Sequence, residues 1–298
     1  MKGGHTIGIV IPARNEEAHI GRVLETLPSF VDHAIVIDDG STDATYKRAS
    51  SASSVAKVTI LQTTGLGVGA AIDLGHQHLL KTIEHPFVSV VMAGDGQMDP
   101  KDLAAVIQPI LDDEADHVKG NRMSTSSDIE QMPRKRRRAS RILGWLTTLA
   151  SGRVMKDPQC GFTATSSQLL RQWNWERSWK GYGYPNYWLI HLASQGWRVS
   201  DVPVKAVYGQ EQSGIQPLRF FLSVGAMMTV EHHRRAFKHL FRSTWMMLSF
   251  LFYISGYALA IVAVQQPIAL LGLPFAWWIA HRLDRLAMRR MVGGRTKI

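Results

Sequence analysis

The sequence predicts an α/β protein with a mostly parallel central sheet, followed by C-terminal membrane-associated helices. Its first 120 residues alternate short β-rich runs with helix-like runs, as βα units do. Each β-rich run is apolar almost throughout, which is typical of parallel strands buried on both faces. Beyond residue 242, a stretch of 22 residues carries no charge and is long enough to form a helix in a membrane.

Four strands and four helices are predicted within the first 111 residues. The strands are Thr6–Ile11, Ala34–Ile37, Lys57–Gln62 and Phe87–Met92. The helices are Glu16–Thr26, Thr42–Ser54, Val68–Ile83 and Pro100–Leu111, the last with Asp99 as its N-cap. A polar cluster follows each strand, at Pro12–Asn15, Asp38–Asp43, Thr63–Gly69 and Asp95–Asp99. Because ligands bind at the carboxyl edge of open α/β sheets, these four loops predict a site there.

The second half of the chain is predicted in less detail. Gly120–Ser140 is polar and basic, which favours a mobile loop. A helix is predicted over Asn186–Gln195 and a strand over Trp197–Val207. Leu218–Arg242 has the pattern of an amphipathic helix that lies on a membrane surface.

The net charge of +10 is concentrated in three segments, Arg134–Arg141, Pro217–Arg242 and His281–Ile298. Two of them flank the most apolar stretch of the chain. This placement favours attraction to anionic lipid on the cytoplasmic side over binding to nucleic acid. Solvated charged faces are the alternative. The single cysteine, Cys160, cannot form an internal disulfide, which favours a reducing compartment.

The apolar stretch Ser243–Val264 would measure about 33 Å as a helix, close to the thickness of a bilayer core. A polar break at residues 265–267 separates it from Ile268–Ala280, a second apolar run of 13 residues. We expect a helical hairpin with both basic ends in the cytosol. A re-entrant or interfacial second segment and a buried core helix are the alternatives. The N-terminus shows no signal-peptide pattern.

The expected organisation is therefore a catalytic domain at 1–215, an amphipathic juxtamembrane helix at 216–242, and a membrane hairpin with a basic cytosolic tail at 243–298.

Two of the polar loops contain carboxylates in positions that suggest nucleotide chemistry. In Asp38-Asp39-Gly40-Ser41-Thr42-Asp43, the acids can accept hydrogen bonds from a base N–H and from ribose hydroxyls. Ser41 or Thr42 is expected to cap the next helix. The adjacent acids repel each other, so they are expected to need external donors or a cation.

Asp95 lies between Gly94 and Gly96, after the fourth strand. Because the residues on both sides of this carboxylate are glycines, there is room for a diphosphate and a hard divalent cation, Mg²⁺ or Mn²⁺. By itself, an aspartate in a glycine-rich turn is ordinarily just a turn residue.

The motifs carry more information together than separately. They stand in the order Ile9–Glu17, Val36–Asp43, Gly67–Ala71, Met92–Pro100 and Gly120–Arg122, and continue with Asp157–Phe162, Gly181–Tyr184 and Val207–Ile215. In this order they resemble the family 2 glycosyltransferases of GT-A fold. The branch with dolichol-phosphate mannose synthase and bacterial polyprenyl-phosphate sugar transferases is the most similar.

The resemblance implies a set of site residues. The residues implied to bind nucleotide are Pro12, Ala13, Asn15, Glu16, Asp38, Asp39, Gly67 and Asp95, with Asp38 and Asp39 on the base or ribose. Asp95 is the implied metal ligand, and Gln97 is implied to lie near the diphosphate or sugar. Arg122 is implied to neutralise phosphate charge, which a guanidinium with several donors does well. Asp95, Gln97 and Arg122 are the implied catalytic set.

The chain departs from the family pattern at two places. Ala93 replaces the first acid of the family's Asp-x-Asp metal motif, and Pro185-Asn186-Tyr187 lacks the acid that relatives with a hydroxyl acceptor often carry. A hydroxyl acceptor gains from a carboxylate base, whereas a phosphate monoester is already largely anionic at neutral pH. The missing acid therefore favours a phosphate acceptor, although Asp157 or Glu211 remains available as a base.

The resulting hypothesis is a metal-dependent inverting glycosyltransferase at the cytoplasmic membrane. It would move a sugar from a UDP- or GDP-linked donor to a polyprenyl phosphate, whose phosphate Arg134, Arg137 and Arg138 would bind. Transfer to a lipid or glycan hydroxyl in cell-envelope biosynthesis is the alternative, as is a non-catalytic membrane adaptor with a degenerate nucleotide pocket. Homo-oligomerisation is possible. His76, His78, His232 and His233 lack the spacing of a zinc site and are expected at the surface.

Overall fold

A computed structural model describes residues 2–124, 132–205 and 217–292. These residues form a mixed seven-stranded sheet in the order β3-β2-β1-β4-β6-β5-β7. The strands are β1 (Thr6–Ala13), β2 (His33–Asp39), β3 (Lys57–Thr63), β4 (Phe87–Val91), β5 (His117–Asn121), β6 (Thr163–Ser166) and β7 (Val199–Pro203). β6 runs antiparallel to its two neighbours, and all the other pairs are parallel.

Ten α-helices are described. They are α1 (Ile20–Glu25), α2 (Thr45–Ser51), α3 (Val68–Thr82), α4 (Leu103–Leu111), α5 (Arg134–Ser151), α6 (Ser167–Gln172), α7 (Tyr184–Gln195), α8 (Pro217–His239), α9 (Thr244–Val262) and α10 (Gly272–Val292). Short 3₁₀ turns at Pro100–Asp102 and Leu240–Arg242 precede α4 and α9, and another at Pro267–Leu271 joins α9 to α10.

The four predicted strands are confirmed, each within two residues at either end. The four predicted helices are present but shorter. α1 begins only at Ile20 because the residues before it are held in a loop, where the backbone N–H of Glu16 donates to Thr45 Oγ1 over 2.7 Å. The predicted cap before α4 is confirmed, since Asp99 Oδ1 accepts from the N–H of Lys101 over 3.0 Å.

Four local predictions were wrong or only partly right. Arg134 begins helix α5, so the expected loop does not continue to Ser140; its residues 125–131 lie outside the described part of the chain. Neither Ser41 nor Thr42 caps α2, where Asp43 Oδ1 accepts from the N–H of Thr45 instead. The strand expected over Trp197–Val207 covers only Val199–Pro203, and 206–216 lie outside the described residues.

His76 is the fourth case. It is buried instead of lying at the surface, and its Nδ1 lies 2.8 Å from Ser89 Oγ. Burial lowers its pKa to about 3, so the imidazole is neutral at pH 7.

The sheet is covered on both faces, as its apolar strands predict. Alternate residues of β1 point to opposite faces: Ile9 and Ile11 pack towards α1 and α4, and Val10 packs towards α3 and α7. α7 is the buried helix of the second face, with nine of its twelve residues buried. α5 and α8 pack against each other and against α7, so they form an outer layer on that face.

α9 and α10 form an antiparallel pair at the end of the chain. Ser249 Oγ donates to the carbonyl of Ala280 over 2.8 Å, and Gly256 lies so close to Trp277 that a Cβ there would overlap its ring. Among the described residues, α9 is the one helix that is long and apolar enough to cross a membrane.

A buried ion pair fastens this hairpin to the outer layer. Arg235 of α8 donates to both carboxylate oxygens of Asp284 on α10, over 2.8 and 2.6 Å, and its Nε donates to the carbonyl of Ala150 on α5. Both side chains are almost completely buried. A buried guanidinium with these partners can be satisfied only while all three helices stay together.

We expect Asp284→Ala to destabilise the protein by about 3–5 kcal/mol, because it leaves the Arg235 guanidinium buried without its counter-ion. The double substitution Arg235→Met and Asp284→Leu should recover most of that loss, since it removes both charges. The free energy of unfolding of the detergent-solubilised chain measures both effects. An Asp284→Ala protein as stable as wild type would contradict this account of the pair.

Candidate active site

The loops that follow β1 and β2 are joined by hydrogen bonds at the carboxyl edge of the sheet. Asn15 has a positive φ of 57°, and its N–H donates to Ser41 Oγ over 3.0 Å. Its Oδ1 accepts from the N–H of Thr42 over 2.8 Å. Glu17 completes the connection through Asp43 and Ala44. The hydroxyls expected to cap a helix therefore connect two loops, and Asn15 is an organising residue of this edge.

Asp39 is surrounded by donors from the loop after β3. Its carboxylate accepts from the hydroxyl of Thr63, from the N–H of Leu66 over 2.6 Å and from the N–H of Gly67 over 2.8 Å. Burial alone would raise its pKa, but these hydrogen bonds and the charge of Arg14 lower the pKa below its ordinary value. The two adjacent acids were expected to need donors from outside the chain. For Asp39, the chain itself supplies them.

Asp38 has fewer partners than Asp39. Its Oδ1 accepts from the N–H of Ser41 and its Oδ2 from the side-chain amide of Gln62, each over 3.2 Å. A carboxylate can accept about four hydrogen bonds, so Asp38 retains capacity for a further donor. Both acids are buried, and Asp38 is the one with more hydrogen-bonding capacity left for a ligand.

Asp95 lies in the loop after β4, against the end of β1. The N–H of Gly94 donates to the carbonyl of Pro12 over 3.0 Å, and a Cβ on Gly94 would stand only 3.0 Å from Cβ of Ala13. Asp95 Oδ1 accepts from the N–H of Gln97 over 3.0 Å, and both side chains are partly exposed. The structure therefore brings Pro12, Ala13 and Asp95 together at the point where the strand order reverses between β1 and β4.

Arg122 follows β5 and forms a buried, two-pronged ion pair with Asp157. Its Nε and Nη2 lie 2.8 and 2.7 Å from the two carboxylate oxygens, and its backbone N–H donates to the same carboxylate. Burial acts to raise the pKa of Asp157, but Arg122 lowers it below its ordinary value. The pair holds the Asp157–Phe162 loop against β5, and the expected contact of Arg122 with phosphate stays a prediction.

Asn186 stands near the position where an acid was expected in relatives with a hydroxyl acceptor. It is fully buried on α7, with its Oδ1 hydrogen-bonded to Gln159 and its Nδ2 donating to Thr147 Oγ1 over 2.7 Å. These bonds connect α7 to α5 and to the Asp157–Phe162 loop. A charged acid at this position would be buried, so its absence is compatible with the packing around it.

The basic residues expected to bind an acceptor phosphate lie in the first two turns of α5. Arg134 and Arg138 are exposed and one turn apart, so they lie on the same face of the helix. Arg137 is only partly exposed and points to a neighbouring face. The structure thus separates Arg137 from the other two.

Two charged residues of this region were missed by the sequence analysis. Arg14 is exposed beside Gly65 and acts on the charge of Asp39, although no role was assigned to it. Asp73 is a buried acid on α3, and its burial raises its pKa to about 7 against the opposing charge of Lys180. Only tertiary packing could reveal that Asp73 is buried, because the sequence of α3 has the pattern of an ordinary amphipathic helix.

The start of α3 is held by the loop that contains Lys180. The carbonyl of Lys180 accepts from the N–H of Gly69 over 2.9 Å, and a Cβ on Gly67 would lie only 2.8 Å from the same oxygen. Gly67 also has a positive φ of 95°, so this position requires glycine twice over. Its N–H is already bound to Asp39, and Gly67 therefore shapes the edge without offering that donor to a nucleotide.

Two cavities among the described residues lie away from this edge. One of about 540 Å³ opens at the opposite edge of the sheet, beside Glu84 and Arg198, and one of about 270 Å³ lies between α7 and α8. The convergence of the polar loops locates the site better than cavity size does, because an open nucleotide cleft is not enclosed until its ligand is bound.

The donor set suits a hard cation whose shell is completed by a ligand. Within the described residues, no group of three or more His, Cys, Asp or Glu side chains is placed to hold a metal. Asp95 supplies one partly exposed carboxylate. Mg²⁺ is commonly held by one or two carboxylates with substrate phosphates and water, so one carboxylate fits a metal that arrives with a diphosphate.

Comparisons with known proteins identify the family of this chain. The family model described as Glycosyl transferase family 2 matches residues 8–176. UDP-N-acetylglucosamine--dolichyl-phosphate N-acetylglucosaminyltransferase of Methanococcus voltae is 30% identical over 218 residues, which cover 68% of this chain and 86% of that protein. Dolichol-phosphate mannosyltransferase of Pyrococcus furiosus is 28% identical over 175 residues, covering 55% of this chain and 47% of that protein.

The fold is shared with solved structures. Glucosyl-3-phosphoglycerate synthase of Mycobacterium tuberculosis, in complex with Mn²⁺, UDP and glucosyl-3-phosphoglycerate, superposes with a TM-score of 0.54 at 22% identity. The match covers 78% of this chain and 81% of that one. A structure of the same synthase holds Mg²⁺ and UDP. At this identity the likeness concerns the fold, and the GT-A fold predicted from the sequence is confirmed.

We expect Asp73→Asn to change how stability depends on pH. Because the pKa of Asp73 is raised from 3.8 to about 7, the folded state binds more protons than the unfolded state between these values, and stability falls as pH rises through them. Asp73→Asn removes this term. At pH 8 it should be more stable than wild type by up to about 4 kcal/mol, and near pH 4 the difference should vanish.

Chemical denaturation across this pH range measures the difference. Asp112→Asn, an exposed acid after α4, serves as the control and should follow wild type at every pH. A constant offset between Asp73→Asn and wild type would show that Asp73 does not titrate abnormally.

Proposed function

The chain belongs to glycosyl transferase family 2 and is a glycosyltransferase, and from that premise we propose that it transfers a sugar from a nucleotide-sugar to a polyprenyl phosphate at the cytoplasmic face of a membrane. The observation that carries the proposal is the position of Asp95. It stands at the reversal of strand order, beside the ends of β1 and β4, and β1 alone separates β4 from β2, which ends in Asp38 and Asp39. A nucleoside diphosphate bound along this edge would extend from Asp38 to Asp95.

Nucleotide recognition would use the side chains that retain hydrogen-bonding capacity. Asp38 has room for a donor from the base or ribose. Asp39 acts by holding the loop that contains Gly67, through bonds that occupy both of its oxygens. Arg14, exposed at the same edge, is an added candidate for contact with the nucleotide, because a guanidinium suits anionic oxygens.

Asp95 would hold the Mg²⁺ or Mn²⁺ that accompanies the donor, and the cation would supply charge stabilisation for the departing diphosphate. The remaining work falls to the chain itself. The hydrogen bond from Gln97 to Asp95 fixes the carboxylate, and Gly94 lets this loop approach Ala13. A carboxylate held in place before the reaction would keep the cation where negative charge develops, so little reorganisation would be needed.

The acceptor is inferred from the lack of a suitable general base among the described residues of the site. Asp157 is bound on both oxygens by Arg122, and Asn186 carries no charge, so neither suits the role of a general base. Glu211, the other candidate base, lies outside the described residues. A phosphate monoester has its second pKa near 6 and is therefore mostly dianionic at pH 7, so it can attack without a base. Inversion at the anomeric carbon would follow from a single in-line displacement.

The lipid phosphate would meet Arg134 and Arg138. Both are exposed on one face of α5, where two positive charges one turn apart match one dianionic group. The membrane attachment of the chain would keep this face at the surface where a polyprenyl phosphate lies. Relatives whose names specify a dolichyl-phosphate or dolichol-phosphate acceptor support this choice.

The reaction is tested by incubating the detergent-solubilised chain with undecaprenyl phosphate and a panel of radiolabelled UDP- and GDP-sugars. Label that moves to the organic phase with one donor is the expected result. Transfer to a neutral polyprenol in preference to its phosphate would instead favour a hydroxyl acceptor. Failure with every donor, although the nucleotide binds, would favour a non-catalytic adaptor.

Asp95→Asn should abolish transfer, with a loss of at least 100-fold, roughly the cost of removing one charge-stabilising group from an active site. The rate of label transfer at saturating Mn²⁺ measures the effect. Asp99→Asn is the matched control, because it changes an acid of the same loop that caps the next helix. The control should keep both transfer and stability, because Asn caps a helix about as well as Asp. Full activity of Asp95→Asn would refute its assignment.

Arg134→Gln combined with Arg138→Gln should raise KM for the lipid phosphate at least tenfold and leave KM for the nucleotide-sugar unchanged. Each charge-assisted hydrogen bond that is lost contributes about 1.5–3 kcal/mol. Steady-state kinetics with each substrate varied in turn separate the two constants. Lys47→Gln, which removes an exposed cation from α2, is the control. An equal rise in both constants would contradict a role specific to the acceptor.

A further inference from the structure

The outer layer formed by α5 and α8 presents an unusual surface to the outside. On α8, Leu218, Leu222, Val230 and Phe237 are 47–75% exposed, and their spacing places them on one side of the helix. This row covers almost the full length of α8. Arg219 and Thr229 are also exposed on this side, so the face is amphipathic, with large apolar side chains that are typical of a surface in contact with a partner.

α5 presents a different but compatible face beside it. Trp145 and Ile142 are exposed in its middle, and Arg138 and Arg141 lie on the same side of the helix. Indole rings and arginines above an apolar layer are typical of the interface between lipid headgroups and acyl chains. Because α5 and α8 pack side by side over α7, both faces point away from the sheet.

Two contacts tie α9 of the hairpin to α8. His233 of α8 lies 2.7 Å from the hydroxyl of Tyr257 on α9, and the ring of His232 packs against Tyr253. These two tyrosines belong to the last ten residues of α9. The contacts therefore hold the second half of α9 against α8.

The charged half of α10 further limits the depth of the hairpin. Asp284 is held by Arg235, and Arg282 lies over the ring of Trp278. Ala280, just before this charged half, is level with Ser249 of α9. From Ser249 to the end of α9 is 13 residues, or about 20 Å, whereas a bilayer core is about 30 Å thick.

The far end of the hairpin is strongly apolar apart from its turn. Ile261, Val264, Ile268 and Leu271 are 73–84% exposed. Gln265 and Gln266 stand between them. The two amides would return to water only if the hairpin crossed the bilayer completely, and its length beyond the charged half is too short for that crossing without strong thinning of the bilayer.

We propose that this chain is a monotopic membrane protein: its hairpin enters and leaves the same leaflet, and the faces of α5 and α8 rest on that leaflet. The partner is an anionic phospholipid surface on the cytoplasmic side. Arg138 and Arg141 lie beside the apolar face and face outward with it, which gives the charge complementarity that a negative leaflet requires. A protein partner would have to cover the row on α8 and the apolar tip of the hairpin at once, whereas a bilayer does so without a defined shape.

This inference rests on the membrane attachment included in the proposed function but not on the sugar transfer. Flotation of the full chain with phospholipid vesicles tests the attachment, and the radiolabel assay tests the transfer. The topology is tested separately by cysteine labelling, for which the chain is suited because its one cysteine, Cys160, is buried.

Single cysteines are placed at the hairpin tip by Gln265→Cys and on the exposed surface of the catalytic domain by Ser53→Cys. Each full-length variant is expressed in bacterial membranes and treated with a membrane-impermeant maleimide, in inverted membrane vesicles and in intact spheroplasts. We expect Ser53→Cys to be labelled in inverted vesicles alone. Gln265→Cys should stay unlabelled in both preparations and react after detergent is added.

Labelling of Gln265→Cys in spheroplasts would show a complete crossing and overturn the proposal. Its labelling in inverted vesicles without detergent would show that the tip lies outside the membrane and would overturn the proposal equally. Labelling of Ser53→Cys in spheroplasts would place the domain on the wrong side.

Contact between the α5 face and the membrane is measured by the fluorescence of bimane attached to Trp145→Cys. The vesicles contain phosphatidylglycerol that carries a nitroxide quencher at its headgroup. Quenching at this position but not at Ser53→Cys is expected. Equal fluorescence at the two positions would show that α5 does not lie at the membrane surface.

Discussion

The hydrogen bonds that join the loops at the carboxyl edge of the sheet are the constraint on which the site depends. The carboxylate of Asp39 accepts from three donors of the β3–α3 loop, and Asn15 connects the loops after β1 and β2. Without these bonds, adjacent acids at the ends of neighbouring strands would repel each other and open the edge. With them, the negative charge of Asp39 is stabilised by donors within the protein, whereas Asp38 retains hydrogen-bonding capacity and Asp95 is partly exposed. The arrangement explains how a family with an acidic edge can bind an acidic ligand.

Two buried ion pairs fix the geometry of other parts of the chain in a similar way. Arg122 and Asp157 fix the loop after β5, and Arg235 and Asp284 fix the membrane hairpin to α5 and α8. A buried pair contributes little net stability, but it enforces one geometry, because either partner alone is strongly unfavourable. In this protein one pair stands where the sheet meets the loop at Asp157–Phe162, and the other stands where α5 and α8 meet the C-terminal helical hairpin. The packing of the hairpin against the rest of the protein is therefore fixed by the second pair.

The predictions from sequence succeeded where a pattern is local. Continuous apolar runs gave the four strands, and Asp99-Pro100 gave a helix start, because strand burial and capping depend on neighbours in the chain. They failed where a residue's partner is distant. Ser41 was expected to cap the helix after it and instead accepts a bond from Asn15, 26 residues earlier. His76 was expected in water and lies beside Ser89, and Arg134 begins a helix in a segment whose charge favoured a loop.

The sequence by itself determined the α/β fold, the family and the position of the polar loops along the chain, since each follows from apolar periodicity and from motifs a few residues long. Only the tertiary structure decided which of those polar groups remain available. It showed that Asp39, Arg122 and Asp157 are paired with partners within the protein, that Asp73 is buried, and that the second half of α9 contacts α8. The reason is physical: a charge has the same identity wherever it stands in the sequence, but its free energy depends on the solvent and partners that folding places around it.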